Sequence, residues 1–499
     1  MSLLMGIDLG TSSVKVCIMD LHGNVVGTGH EVYDILTPRP GYAEQDIELL
    51  WIATVKAIKQ AMFIGSIDPV DIRSIGLSGQ MHGLVLIDKQ MRPVRPAIIW
   101  ADQRTKQQVD DIYGIVGEDR FRETTLNSLG TGFLICSLMW IKYNEPENYL
   151  KSYRVILPKD YIRYKLCGEL GTDVTDASST QAFDTAKRSW AFDIIEKIGI
   201  DRALFPTCGE AYHIAGEITQ EACEETGLRR RTPVVYGGGD TLMHSVGNGM
   251  IKPGLVSANI GTAAQLLCTA GFPAHDAKFR TNTFCHVKED LWVILGGHLN
   301  GGMVLEWLRD KCFPHLSYKE FDSIAEGLPA GSEGMLFLPY LAGERTPYHD
   351  PNAKGIFFGM TLRHGCNHMI RSVMEGVIMS LRLSLDIFRE LHIPIESIIA
   401  SGGGAKSHAW LQMQADIFNT EILTVTGGEE ACKGAAITAG LGAGFYTSYD
   451  QACQAVVRYD PRTVIPNGEN VRIYDEAFEK FKLLYSNNKN LFIEGYDKK

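Results

Sequence analysis

Gly6-Ile7-Asp8-Leu9-Gly10-Thr11-Ser12-Ser13-Val14-Lys15-Val16-Cys17-Ile18-Met19 is the stretch on which the fold turns. Apolar residues up to Leu9 and again from Val14 to Met19 read as two strands, joined by a tight turn at Gly10 to Ser13. A second turn at His22-Gly23-Asn24 extends them into a β-meander. Glycine permits φ > 0, so successive backbone N–H groups of the turn can converge on a phosphate. The hydroxyls of Thr11, Ser12 and Ser13 add donors, and Asp8 can hold Mg²⁺ directly or through water. For one copy alone, a polar hairpin turn explains the pattern equally well.

A second copy shifts that balance. Val256 to Cys268 repeats strand, turn and strand, with Asn259-Ile260-Gly261-Thr262 standing as Asp8-Leu9-Gly10-Thr11 does. The copies open the two halves of the chain, and no period of twenty to fifty residues is present, so the pattern reads as one doubling of a domain. Two facing hairpins can grip a triphosphate from both sides. Apolar strands at Ile75 to Ser78, Val234 to Tyr236 and Ser397 to Ala400 alternate with helical stretches at Leu49 to Met62, Leu138 to Asn144, Met303 to Lys311, Asn367 to Arg389 and Ser407 to Phe418. Such alternation indicates an α/β protein. Gly and Pro between Met250 and Gly254 mark the expected boundary, giving domains over 1–250 and 251–499.

The 499 residues are 45% hydrophobic and 21% charged, enough to build large cores in more than one domain. A net charge of -11 with no basic run argues against nucleic acid and membrane surfaces as partners. Eleven cysteines, an odd number with no C-x-x-C pair, fit neither a disulfide framework nor a zinc module. Asp8 interrupts the first apolar run, so no signal peptide is read there, and a cytoplasmic location is expected. The apolar stretch Ala435 to Phe445 is too short and glycine-rich to cross a bilayer.

Two glycine runs follow apolar strands. Ser401-Gly402-Gly403-Gly404-Ala405 removes side chains where a flat ligand or phosphate must approach the backbone, and the following helix offers its N-terminus to negative charge. Its spacing matches neither a Walker A loop nor a dinucleotide fingerprint. Tyr236-Gly237-Gly238-Gly239-Asp240 ends in a carboxylate that can accept the proton of an attacking hydroxyl. The alternative for Asp240 is the N-cap of a helix beginning near Thr241. His364 and His368 stand four apart without an acidic partner and are taken as surface residues.

Together with Ser78-Gly79-Gln80-Met81-His82-Gly83, Trp100-Ala101-Asp102-Gln103-Arg104, Leu157-Pro158-Lys159-Asp160-Tyr161, Phe337 to Leu341, Gly343 to Pro347 and Gly402 to Asp416, these motifs resemble, in order and spacing, the FGGY carbohydrate kinases, and among them most the xylulokinases. The resemblance implies two actin-like, ribonuclease-H-like domains with an interdomain cleft. It implies Asp240 as catalytic base and Asp8 as the residue that places Mg²⁺ with ATP. Thr11, Ser12, Ser13, Gly261 and Thr262 would meet the phosphates, with Gly302, Gly403, Gly404 and Ala405 about the nucleoside. Met81, His82, Trp100, Asp240 and Thr241 would form the sugar site. A His can donate to and accept from hydroxyls, while Trp and Met pack on C–H faces. The expected reaction is phosphorylation of a ketose, D-xylulose first. Ribulose or another pentulose and a polyol such as glycerol are alternatives, as is a non-catalytic sugar sensor on the same fold. A homodimer follows by analogy.

Two residues depart from the family pattern. Thr241 stands where an Asn commonly follows the catalytic Asp, which bears on the choice of ketose. Ser137 stands where a Lys usually precedes Leu138-Met139-Trp140. Met81-His82 replaces the Arg-Glu pair of glycerol kinases, which speaks against glycerol.

Overall fold

The computed structural model describes residues 2–492 of the chain. Its first sheet opens with β1 (Leu3–Leu9), β2 (Ser13–Asp20) and β3 (Val25–Val32), an antiparallel meander in which Asp8 lies opposite Lys15. After helix α1 (Ile47–Ile64), β4 (Ile72–Gly79) pairs parallel with β1 and sets Ser78 beside Asp8. The sheet is completed by β5 (Ile214–Glu217), β6 (Pro233–Val235) and the short β7 (Gly238–Gly239), which pairs with β4 at Ser78 and Gly79. Helix α2 (Asp240–Gly247) leaves directly from β7.

The second sheet repeats the plan. β8 (Gly254–Ile260) and β9 (Ala264–Ala270) form the antiparallel hairpin, β10 (Asn282–Cys285) and β11 (Trp292–His298) continue it, and after helices α3 (Gly302–Cys312) and α4 (Cys366–Glu390) strand β12 (Ile395–Gly402) pairs parallel with β8. The order β3-β2-β1-β4 of the first sheet thus recurs as β11-β9-β8-β12 in the second, with the same strand senses. The doubling read from two hairpins extends to whole sheets. Helix α5 (His408–Phe418) and β13 (Ile422–Thr424) follow.

One helix joins the two halves of the chain. Helix α6 (Glu430–Gly442), from the second half of the chain, lies across β1 and β4 of the first sheet and alongside α2. Small residues allow the approach. A Cβ on Gly6 would fall 1.8 Å from the Cys432 carbonyl oxygen, and one on Gly434 would fall 1.9 Å from that of Met243. Leu4, Leu242 and Val246 share a buried cluster with Leu255, Ile399, Ala435 and Ile437, so one apolar core runs between the two sheets. The stretch judged too short for a bilayer is largely this helix, and among the described residues no helix is long and apolar enough to cross a membrane.

Candidate active site

Both sheets end at their hairpins on loops that carry the polar motifs, so strand register places the candidate residues. At the end of β1, the Ser78 hydroxyl donates to Asp8 Oδ1 at 2.6 Å. Burial raises the proton affinity of Asp8 despite Ser78 and Lys15, which oppose the shift. The turn that follows is braced: Gly10 N–H donates to the Ser13 carbonyl at 2.9 Å, and the Tyr33 hydroxyl to the same carbonyl at 2.9 Å. Gln45 Nε2 donates to the Thr11 carbonyl at 2.7 Å, and Gln80 Nε2 to Gln45 Oε1 at 2.7 Å. Gln45 thereby links the first hairpin to the Gln80–Gly83 segment. No local motif announced it.

His82 adopts φ 72° beside the apolar Met81. Its Nδ1 lies 2.8 Å from the Ser179 carbonyl, an acceptor only, so Nδ1 carries the hydrogen. Burial pushes the imidazole down to about 4, with Arg345 adding to the fall, so the ring is neutral at pH 7 and Nε2 is left as an acceptor. Phe133 meets the ring edge-to-face at 4.6 Å, and Phe284 from the second sheet lies 6.0 Å away. Trp100 is 39% exposed, which excludes an ordinary core aromatic, and its Nε1 donates to Thr11 Oγ1 at 2.9 Å. Gly132, at φ 79°, passes so close that a Cβ there would fall 2.1 Å from the Trp100 carbonyl oxygen.

Asp240 is the first residue of α2, and Gly239 occupies the cap position. Its Oδ1 accepts from Thr241 N–H at 2.6 Å and from Thr241 Oγ1 at 3.2 Å. The Asp240 side chain is therefore turned to its own neighbour, and does not cap the helix as an N-cap residue would. Burial, with the Asp8 carboxylate second, pushes the Asp240 carboxyl up to about 7. A Cβ on Gly239 would fall 2.7 Å from Met81 Cγ, which places Met81 against the strand that delivers Asp240. Thr241 spends its hydroxyl on Asp240. Ser137 is buried in helix Leu134–Asn144, and its hydroxyl has no hydrogen-bond partner among the described residues.

On the second sheet, Gly261, Thr262, Gly302, Gly403 and Gly404 line a cavity of about 720 Å³, within the range of small-ligand sites. Gly302 N–H donates to the Gly261 carbonyl at 2.7 Å and Met303 N–H to that of Thr262 at 3.1 Å, which locks the hairpin onto α3. Gly402, at φ 75°, lets the chain turn within reach of β8, where a Cβ would meet Asn259 Oδ1 at 2.4 Å. Ala405 is not among the lining residues, nor are Thr11, Ser12 and Ser13 of the first hairpin. Glu306, Tyr318, Lys319, Asp322 and Trp410 are among the other lining residues. Sequence reading singled out none of them, although Trp410 lies within the Gly402 to Asp416 motif and Glu306 stands one helical turn after Gly302.

His364 and His368 serve the loop ahead of α4. Thr361 N–H donates to His364 Nδ1 at 2.9 Å, Gly365 N–H donates to His368 Nδ1 at 3.1 Å, and the rings meet edge-to-face at 5.1 Å.

Comparisons with known proteins place the chain among sugar kinases. A curated relative named xylulose kinase from Bacillus subtilis (strain 168) is 33% identical over 491 residues, covering 98% of each chain. The solved structure of a ligand-bound xylulose kinase from Lactobacillus acidophilus superposes with a TM-score of 0.93 at 26% identity, covering 99% of both chains. A gluconate kinase structure from the same organism superposes at 0.92, also with 26% identity and 98% coverage of both. Residues 3–247 match the N-terminal domain, and residues 256–443 the C-terminal domain, of the FGGY family of carbohydrate kinases, and the chain belongs to that family.

Proposed function

We propose that this ATP-dependent sugar kinase phosphorylates a terminal hydroxyl of a ketose, D-xylulose first. The observation that carries the reading is Asp240. It is a carboxyl poised at about 7, delivered by β7 beside Met81, with Oδ1 held by Thr241. A base tuned near working pH can take the proton of a sugar hydroxyl as that oxygen attacks phosphorus. Neutral His82 offers Nε2 as acceptor to a second hydroxyl, and the exposed Trp100 offers an apolar face to the carbon chain.

The cavity lined by Gly261, Thr262, Gly403 and Gly404 fits the nucleoside of ATP, because glycines leave the backbone open to a flat ring. The hairpin at Thr11 to Ser13 offers hydroxyls and N–H groups to phosphates from the opposite side. Asp8 fits a Mg²⁺ role. Among the described residues no group of three or more His, Cys, Asp or Glu could cage a metal, and a Mg²⁺ held mainly by phosphates and water needs only one or two carboxylates. Bound Mg²⁺ would supply charge neutralisation, and it would reverse the raised proton affinity of Asp8.

ADP release from Mg²⁺-ATP tests the reading, with D-xylulose, D-ribulose, L-xylulose, L-ribulose, glycerol and D-gluconate as separate acceptors. Fast turnover on D-xylulose is expected. Turnover with another pentulose instead would keep the kinase and move the substrate, whereas preference for gluconate would overturn the ketose reading.

A further inference from the structure

Away from the nucleotide cavity, a second pocket of about 340 Å³ opens between the β2–β3 turn, the chain entering α6, and the end of the later helix Tyr449–Val456. His22, Asn24, Thr426, Gly427, Lys433 and Arg458 are among the residues that line it. Lys433 is 6% exposed, and its ammonium makes one hydrogen bond, to the Thr426 carbonyl at 3.4 Å. A Cβ on Gly427 would sit 2.8 Å from Lys433 Nζ, so the charge lies directly against the loop. Three donors with a single long acceptor leave a buried cation largely unsatisfied, which is costly without a counter-charge.

Among the described residues no carboxylate lies within ion-pair distance of Lys433. Lys433 and Arg458 form no ion pair among the described residues, and the Arg458 guanidinium donates to the carbonyls of Gln454, Ala455 and Val457. Glu429 is turned to Lys15 at 3.3 Å. The Asp20 carboxylate accepts from the His22 and Asn24 N–H groups at 2.8 and 3.0 Å. Lys433 also sits in the first turns of α6, at the positive end of a 13-residue helix, where a lysine is electrostatically unfavourable. Gly427, at φ 90°, has a backbone N–H with no acceptor among the described residues.

We propose that this pocket binds a small phosphate-bearing anion, held by the Lys433 ammonium with the Gly427 N–H and the Arg458 guanidinium. The anion would supply the counter-charge the fold leaves out. Its walls come from the β2–β3 turn of the first sheet and the segment after β13 of the second, so the anion would bridge the two halves of the chain.

The test is calorimetric titration of the full chain at constant ionic strength, with a saturating non-hydrolysable ATP analogue occupying the active-site phosphate positions. Inorganic phosphate and a sugar phosphate are titrated separately. One site is expected, with sulfate competing and chloride not. Lys433→Met should weaken it by about tenfold or more, the loss of a charge-assisted hydrogen bond, while keeping basal sugar-dependent ADP release as evidence of folding. Arg458→Gln, at an exposed position, should weaken it less. A sugar phosphate binding more tightly than phosphate identifies an organic ester as occupant, and equal affinities identify the free anion. Wild-type affinity in both variants, or no binding by the wild type, would overturn the proposal.

Discussion

Trp100 Nε1 donates to Thr11 Oγ1 at 2.9 Å, joining the exposed indole of the proposed sugar site to the hairpin proposed to meet phosphate. The indole is thereby oriented by the turn it touches, and Gly132 fixes its backbone from behind.

Trp100→Phe keeps an aromatic face and deletes this bond. Loss of one neutral hydrogen bond, about 1 kcal/mol, should lower kcat/KM for the sugar by about fivefold. The protein should remain folded, because the indole is half exposed. Steady-state kinetics on the accepted ketose measure it, and an unchanged kcat/KM would detach Trp100 from the site.

Asp240→Asn should lower kcat by about 10²–10⁴-fold, the usual range for a lost general base, while ATP binding persists. In the wild type, kcat/KM should fall about tenfold per pH unit below the Asp240 value of about 7, because the base must be unprotonated in the free enzyme. A flat profile between pH 5.5 and 8 would assign the base elsewhere.

The same shift predicts a stability effect of opposite sense. The folded-state value near 7 lies above the ordinary 3.8, so the fold holds this proton more tightly than the unfolded chain does. The contribution of Asp240 to stability therefore falls as pH rises from about 3.8 to about 7. Asp240→Asn should melt about 2 °C higher than wild type at pH 8 and show little difference near pH 4, by calorimetry.

Gly403→Val separates the two substrates. A Cβ there meets only the Ile260 carbonyl oxygen, at an ordinary 3.6 Å, so the fold accommodates it while the side chain enters the large cavity. KM for ATP should rise by about tenfold or more with KM for the sugar little changed. Equal rises in both would mean the cavity does not hold the nucleotide.

Gly434→Ala tests the seat of α6. Its Cβ would fall 1.9 Å from the Met243 carbonyl oxygen, backbone that cannot move without shifting α2 and the Asp240 it carries. A loss of at least 1–3 kcal/mol is expected from overpacking, read as a lower denaturation midpoint.

Much of the fold was written locally. Strand-turn-strand patterns at Asp8 to Ser13 and Asn259 to Thr262, and the glycine runs before Asp240 and Ala405, depend on alternation and turn chemistry within a dozen residues, so they were legible from sequence. The doubling and the strands at Ile75 to Ser78 and Ser397 to Ala400 came with them, while their parallel pairing with the hairpins belongs to the tertiary structure. Gln45, Ser179 and Tyr318 were not legible, because each reaches the site from a segment distant in the chain and carries no local signature.

What the sequence determined by itself is therefore the family, the two hairpins and the carboxylates at strand ends, since short-range backbone preference and residue chemistry suffice for these. Tertiary structure alone decided that Asp240 holds Thr241 from the first position of α2 and not from the N-cap, that His82 is neutral with Nε2 free, that α6 lies on the first sheet, and that Lys433 is a buried cation without an ion pair among the described residues. The reason is physical. Protonation state, desolvation and close packing are set by which distant groups share a low-dielectric interior, and only the folded chain brings those groups together.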